Sequence, residues 1–168
     1  MPDTFESLLV NLARAEVDFL VAGGVAVCLN GYVRTTQDLD LLVDASPANL
    51  QRLLKCLEQF GEGFSRELTP DDFALEEGAV RIIEDFTVDV FTLMRSRTFE
   101  DFSSTARQIV VDGVPIRFLA PAALIELKSQ STREKDQIDV AALRRLLSGA
   151  QPADRADLSA LTPPRLPD

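Results

Sequence analysis

The chain has 168 residues, 46% of them hydrophobic and 26% charged, the make-up of one folded domain and not of a disordered chain. Its 27 acids against 17 bases leave a net charge of −10, which argues against a general grip on nucleic acid or on an anionic membrane. Histidine is absent, which excludes Ser-His and Cys-His catalysis, histidine-ligated zinc and a histidine general base.

In chain order, Phe5, Leu8, Leu9 and Leu12 follow helical spacing, with Asp3 and Glu6 set as a capping box. Residues 17–22 form an apolar strand that ends at Gly23-Gly24, and residues 25–29 form a short helix. Residues 38–44 read as a second strand. Ser46-Pro47 then starts a helix whose apolar face is Leu50, Leu53, Leu54, Leu57 and Phe60. Residues 79–83 and 86–92 have strand character. Residues 108–118 form a hairpin around Asp112-Gly113, with Pro115 placing one arm at a sheet edge. Helices over 121–130 and 135–147 close a single domain of residues 1–148. A tail over 149–168 holds four of the nine prolines and reads as disordered or laid on the surface. This order predicts an α/β (α+β) domain, a small mixed sheet with flanking helices.

Cys28 and Cys56 lie far apart in apolar surroundings and read as free buried thiols of a reducing compartment. The first residues carry two acids and no basic stretch, unlike a signal peptide, and no apolar run is long enough to span a bilayer. The expected location is the cytoplasm, with no membrane partner.

Three features point to one chemistry. Gly23-Gly24 stands between a strand and a helix, where a backbone without side chains turns sharply and the following N–H groups suit a phosphate; the alternative is a turn needed only for packing. Asp38 and Asp40 sit two apart in a strand and therefore share a face, about 6.6 Å apart at Cα. Two such carboxylates repel unless a cation lies between them, and all-oxygen ligands suit Mg²⁺ or Mn²⁺; the alternative is a solvated edge strand. Asp89 sits in an apolar strand between Val88 and Val90, where it completes a three-carboxylate site, lies at a strand end facing solvent, or pairs with a nearby arginine. Arg34, with Thr35 and Thr36, precedes the Asp38 strand within reach of a triphosphate. Lys128, Arg133 and Lys135 come later, and Lys135 and Asp139 have the spacing of a surface pair on a helix.

The string VAGGVAVCLNGYVRTTQDLDLLVD resembles the nucleotidyltransferase superfamily that includes DNA polymerase beta, and most closely its GG-type bacterial members, among them AbiE-type toxins. The run from Lys128 through Arg133, Lys135, Asp136 and Asp139 resembles their C-terminal helices. The chain departs from the pattern at Gly24, where many members carry Ser, and at Asn30, where GG-type members often carry His. The resemblance implies Mg²⁺-dependent transfer of a nucleoside monophosphate from a nucleoside triphosphate to an acceptor. It implies that Gly23, Gly24, Arg34, Thr36 and Lys128 bind the nucleotide. Asp38, Asp40 and Asp89 would hold the metal, with Asp89 also positioning or deprotonating the acceptor group. The acceptor classes are a small molecule, a tRNA end or a protein, and a partner protein or a homodimer fits such small relatives. The alternative function is a catalytically silent nucleotide- or partner-binding module, of toxin–antitoxin or regulatory type.

Overall fold

A computed structural model describes residues 3–149 and 157–163. Its centre is one six-stranded mixed sheet in the order β3-β4-β2-β1-β6-β5. The strands are β1 (Phe19–Ala22), β2 (Asp38–Val43), β3 (Ala79–Ile83), β4 (Thr87–Phe91), β5 (Arg107–Val111) and β6 (Val114–Phe118). The helices are α1 (Phe5–Arg14), α2 (Gly23–Leu29), α3 (Pro47–Leu57), α4 (Phe99–Ser103), α5 (Pro121–Lys128) and α6 (Glu134–Leu147). Among the described residues no helix is long and apolar enough to cross a membrane.

The core follows from strand alternation. Leu39, Leu41 and Val43 of β2 are fully buried and point away from Asp38 and Asp40, as the spacing requires. Leu42 is buried as well, so both faces of β2 are covered at its far end. Phe86, Phe5 and Phe60 pack ring against ring at one side of the sheet, with centroids 4.7 and 5.0 Å from Phe86. Cys28 is buried and Cys56 half-buried, and both are free thiols.

Several local expectations shift. The cap of α1 is Thr4 with Ser7, not Asp3 with Glu6: each takes the other's backbone N–H, while the Asp3 carboxylate instead accepts from the Gly61 N–H. β1 begins at Phe19 and not at residue 17, because Glu16 turns the chain with φ +58° and the Asp18 N–H is held by a side chain. α2 begins at Gly23 itself. The hairpin does form a sheet edge, but the outermost arm is β5, whereas Pro115 lies on β6. The proline is tolerated there because β1 meets β6 only at Phe118, well past residue 115. The short helix α4, capped by Thr98 and Asp101, lies in a stretch with too few apolar repeats to show periodicity. Of the tail, residues 157–163 dock on α1: Leu158 and Leu161 are buried, and the Phe5 N–H donates to Thr162 Oγ1. The rest of the tail lies outside the described residues.

Asn49, at the start of α3, ties the strand ends together. Its Nδ2 donates to Asp18 O at 3.0 Å and Asp44 O at 2.8 Å, and its Oδ1 accepts from the Asp18 N–H at 2.8 Å. The side chain is fully buried, so nothing replaces these bonds when it is cut back. Asn49→Ala is expected to cost about 2–4 kcal/mol in urea denaturation. An unchanged midpoint would show that the strand ends hold without it.

Candidate active site

β2 and β4 are neighbours and run parallel, with Asp40 directly opposite Asp89. The two acids singled out on β2 and the one on β4 therefore come to the same edge of one cleft of about 610 Å³. Gly23, Gly24, Arg34, Thr36 and Lys128 line the same cleft. The sequence-predicted site residues are thus brought together, but their partners differ from those expected.

The glycine pair makes room for the chain's own side chains. A Cβ on Gly23 would lie 1.9 Å from Asp40 Oδ2, and the residue has φ +56°. A Cβ on Gly24 would lie 2.7 Å from Thr36 Oγ1 and 3.0 Å from the Arg34 guanidinium nitrogens. Any side chain at either position pushes a site residue aside. The packing alternative and the functional one are therefore the same fact: the glycines let the strand, the loop and the acid close together.

The three carboxylates have unequal surroundings. Asp89 is 7% exposed at its side chain and is forked by Arg81 of β3, Nε to Oδ1 and Nη2 to Oδ2, both at 2.8 Å. The pairing with a nearby arginine is the one the structure makes. Asp38 and Asp40 accept no side-chain hydrogen bond and form no ion pair among the described residues. Burial, then the charges of Asp89 and Asp38, push the Asp40 carboxyl up to about 6. Among the described residues the acids do not close into a cluster of three around one point. The fork commits both Asp89 oxygens to Arg81.

The cations are also committed differently from expectation. Asp139 of α6 is fully buried, and Arg34 forks it through Nε and Nη2, both at 2.7 Å. Lys128 Nζ reaches Asp136 at 2.6 Å and Asp139 at 3.2 Å. Ser131 Oγ donates to the other Asp136 oxygen at 2.6 Å. The expected surface pair of Lys135 with Asp139 does not form, because Asp139 faces the core and two other cations take it. Lys135 and Arg133 line the cleft with no ion-pair partner among the described residues. Asn30 stays out of the cleft: its Nδ2 donates to Ala26 O and Leu119 O, and its Oδ1 accepts from Arg107.

Sequence reasoning missed Arg81, Glu77 and the role of Asp139. Glu77 accepts the N–H groups of Arg95 and Ser96, and so holds a turn in which both residues have positive φ. Arg95 in turn donates to Glu126 O and Leu127 O near the end of α5, bracing the turn that carries Lys128. The mid-strand placement of Arg81 between apolar residues was the one local hint.

The all-oxygen side chains of Asp38 and Asp40, without an ion pair among the described residues, are a donor set that suits a divalent cation such as Mg²⁺ or Mn²⁺. Six basic and five acidic side chains line the cleft, so the site is nearly balanced in a chain of net charge −10. A polyanion escorted by a cation can therefore enter a molecule that repels anions elsewhere.

No family model matches the chain, and none of the curated proteins matches it by sequence. Among solved structures it is similar to the lincomycin-bound lincosamide antibiotic adenylyltransferase LnuA, at 16% identity, over 83% of this chain and 93% of that one, with a TM-score of 0.50. An antigenic nucleotidyltransferase-like protein from Paracoccidioides brasiliensis is similar over 89% of this chain and 79% of that one, at 16% identity and a TM-score of 0.47. The chain has the nucleotidyltransferase fold.

The raised pKa of Asp40 has a sign. Protonated Asp40 is favoured in the folded state, so its stabilising contribution is full below about pH 4 and is lost as pH rises through about 6. In metal-free protein at pH 8, Asp40→Asn is expected to raise stability by about 1–2 kcal/mol, an effect that vanishes near pH 4. Urea denaturation at the two pH values checks it. Equal stability of both proteins at pH 8 would show that the Asp40 charge is already neutralised.

Proposed function

We propose that the chain is a divalent-metal-dependent nucleotidyltransferase, moving a nucleoside monophosphate from a nucleoside triphosphate to an acceptor hydroxyl. The observation that carries this reading is the pair Asp38 and Asp40, without an ion pair among the described residues, with Asp40 set against Gly23 in a cleft that Lys135 and Arg133 also line. Protein carboxylates are seldom left side by side and unpaired without a cation to use them.

In this reading Asp38 and Asp40 hold Mg²⁺ or Mn²⁺, which when bound offsets charge on the triphosphate. Lys135 and Arg133, which have no ion pair among the described residues, take the outer phosphates. Arg34 and Lys128 contribute through the Asp139 network, which fixes the Arg34 head beside Gly24 and holds Lys128 in the same cleft. Asp89 keeps a second lone pair on each oxygen beyond the Arg81 fork, and with it accepts the hydrogen bond that orients the acceptor hydroxyl. The acceptor oxygen bonds to the α-phosphorus, the bond from that phosphorus to the bridging oxygen breaks, pyrophosphate leaves, and the hydroxyl proton is released.

The test is incubation of the protein with each α-³²P-labelled nucleoside triphosphate in cell lysate, followed by separation of protein, RNA and small-molecule fractions. Label is expected in one fraction, falling at least about 100-fold with Asp40→Asn. Equal labelling by the wild type and this variant would contradict the reading, and nucleotide binding without any label would point to a silent binding module. Lys135→Ala is expected to weaken binding of the Mg²⁺–nucleotide complex about tenfold by calorimetry, with little change in melting temperature. Lys128→Ala, which breaks two ion pairs to buried or half-buried acids, should lower the melting temperature instead.

A further inference from the structure

Arg81, Asp89 and Asp40 form one row across three adjacent strands. β3 pairs antiparallel with β4 so that Arg81 faces Asp89, and β4 pairs parallel with β2 so that Asp89 faces Asp40. Directly opposed residues share a face of the sheet, one strand spacing of about 4.8 Å apart. The row therefore reads positive, negative, negative, ending at the pair Asp38 and Asp40.

Both oxygens of Asp89 are used by the guanidinium, each at 2.8 Å and in the two-pronged geometry that arginine makes with a carboxylate. The fork places a fixed positive charge where a second divalent ion would have to sit, and like charges at that range repel strongly. Glu77, the other acid lining that side of the cleft, is also occupied, accepting the N–H groups of Arg95 and Ser96. Asp89 and Glu77 are thus both committed to groups of the protein itself. Asp38 and Asp40 have no side-chain hydrogen bond and no ion pair among the described residues.

We propose that Arg81 takes the place of a second metal ion: its guanidinium neutralises Asp89, and the chain holds a single divalent cation, on Asp38 and Asp40. The inference rests on the nucleotidyl-transfer reading and sharpens it. It assigns the acceptor side of the site a permanent organic cation and leaves the nucleotide side to the metal. Because Arg81 lies on the edge strand with its side chain 59% exposed, replacing it leaves the core untouched.

The experiment counts Mn²⁺ bound per full-length chain, by electron paramagnetic resonance, in complex with α,β-methylene-ATP. The wild type is expected to hold one ion and Arg81→Met two, because Asp89 is then free to bind. Two ions on the wild type would overturn the inference while leaving the proposed activity standing. One ion on both proteins would also overturn it, since Arg81 would then exclude nothing. No ion on either would overturn this inference and the nucleotidyl-transfer reading together. A second pair of variants serves if Arg81→Met does not fold. Asp38→Asn is expected to weaken Mn²⁺ binding more than tenfold, and Asp89→Asn less than threefold. A loss above tenfold with Asp89→Asn would make Asp89 a metal ligand and overturn the inference.

Discussion

The parallel pairing of β2 with β4 is the constraint on which the site depends. It sets Asp40 and Asp89 side by side on one face, and the repulsion between them must be managed. The protein manages the two acids differently. Asp89 receives an arginine from the next strand, while Asp40 receives nothing and is held partly toward its neutral form. That asymmetry divides one acidic edge into a neutralised half and a half with no ion-pair partner among the described residues. Gly23 is part of the same arrangement, since any side chain there would occupy the space of the Asp40 carboxylate.

A second ionic hub holds the opposite wall. Asp139 is fully buried and would be costly alone, yet Arg34 and Lys128 both reach it, from different parts of the chain. The hub links the loop before β2 to the end of α5 and the middle of α6. It thereby positions two cations and consumes most of their charge. Lys135 and Arg133, exposed at the start of α6 and before it, line the cleft without an ion pair among the described residues. In this way a strongly acidic chain presents a locally balanced cleft.

Much of this was legible in the residues. Strand alternation placed Asp38 and Asp40 on one face and Leu39, Leu41 and Val43 on the other, and the resemblance anticipated the fold. The glycine pair was legible as a close approach, though what approaches is Asp40, Thr36 and Arg34. What stayed hidden is non-local. The fork of Arg81 on Asp89 depends on β3 lying at the sheet edge with Arg81 in register, a fact of strand order and not of local pattern. Local helix spacing paired Lys135 with Asp139, but burial turned Asp139 inward, and cations distant in sequence outcompeted the near one. The capping box slipped by one residue because Asp3 is drawn to the turn at Gly61.

The central claim is that Asp38 and Asp40, beside Gly23, are the seat of a divalent ion that brings in the nucleotide. Its most direct test is crystallography of the protein with Mn²⁺ and a non-hydrolysable nucleoside triphosphate, read by anomalous scattering. An anomalous peak is expected within coordination distance of both Asp38 and Asp40, with the α-phosphate beside it. A nucleotide bound with no peak at this pair, or with the peak on Asp89 in place of a displaced Arg81, would contradict it.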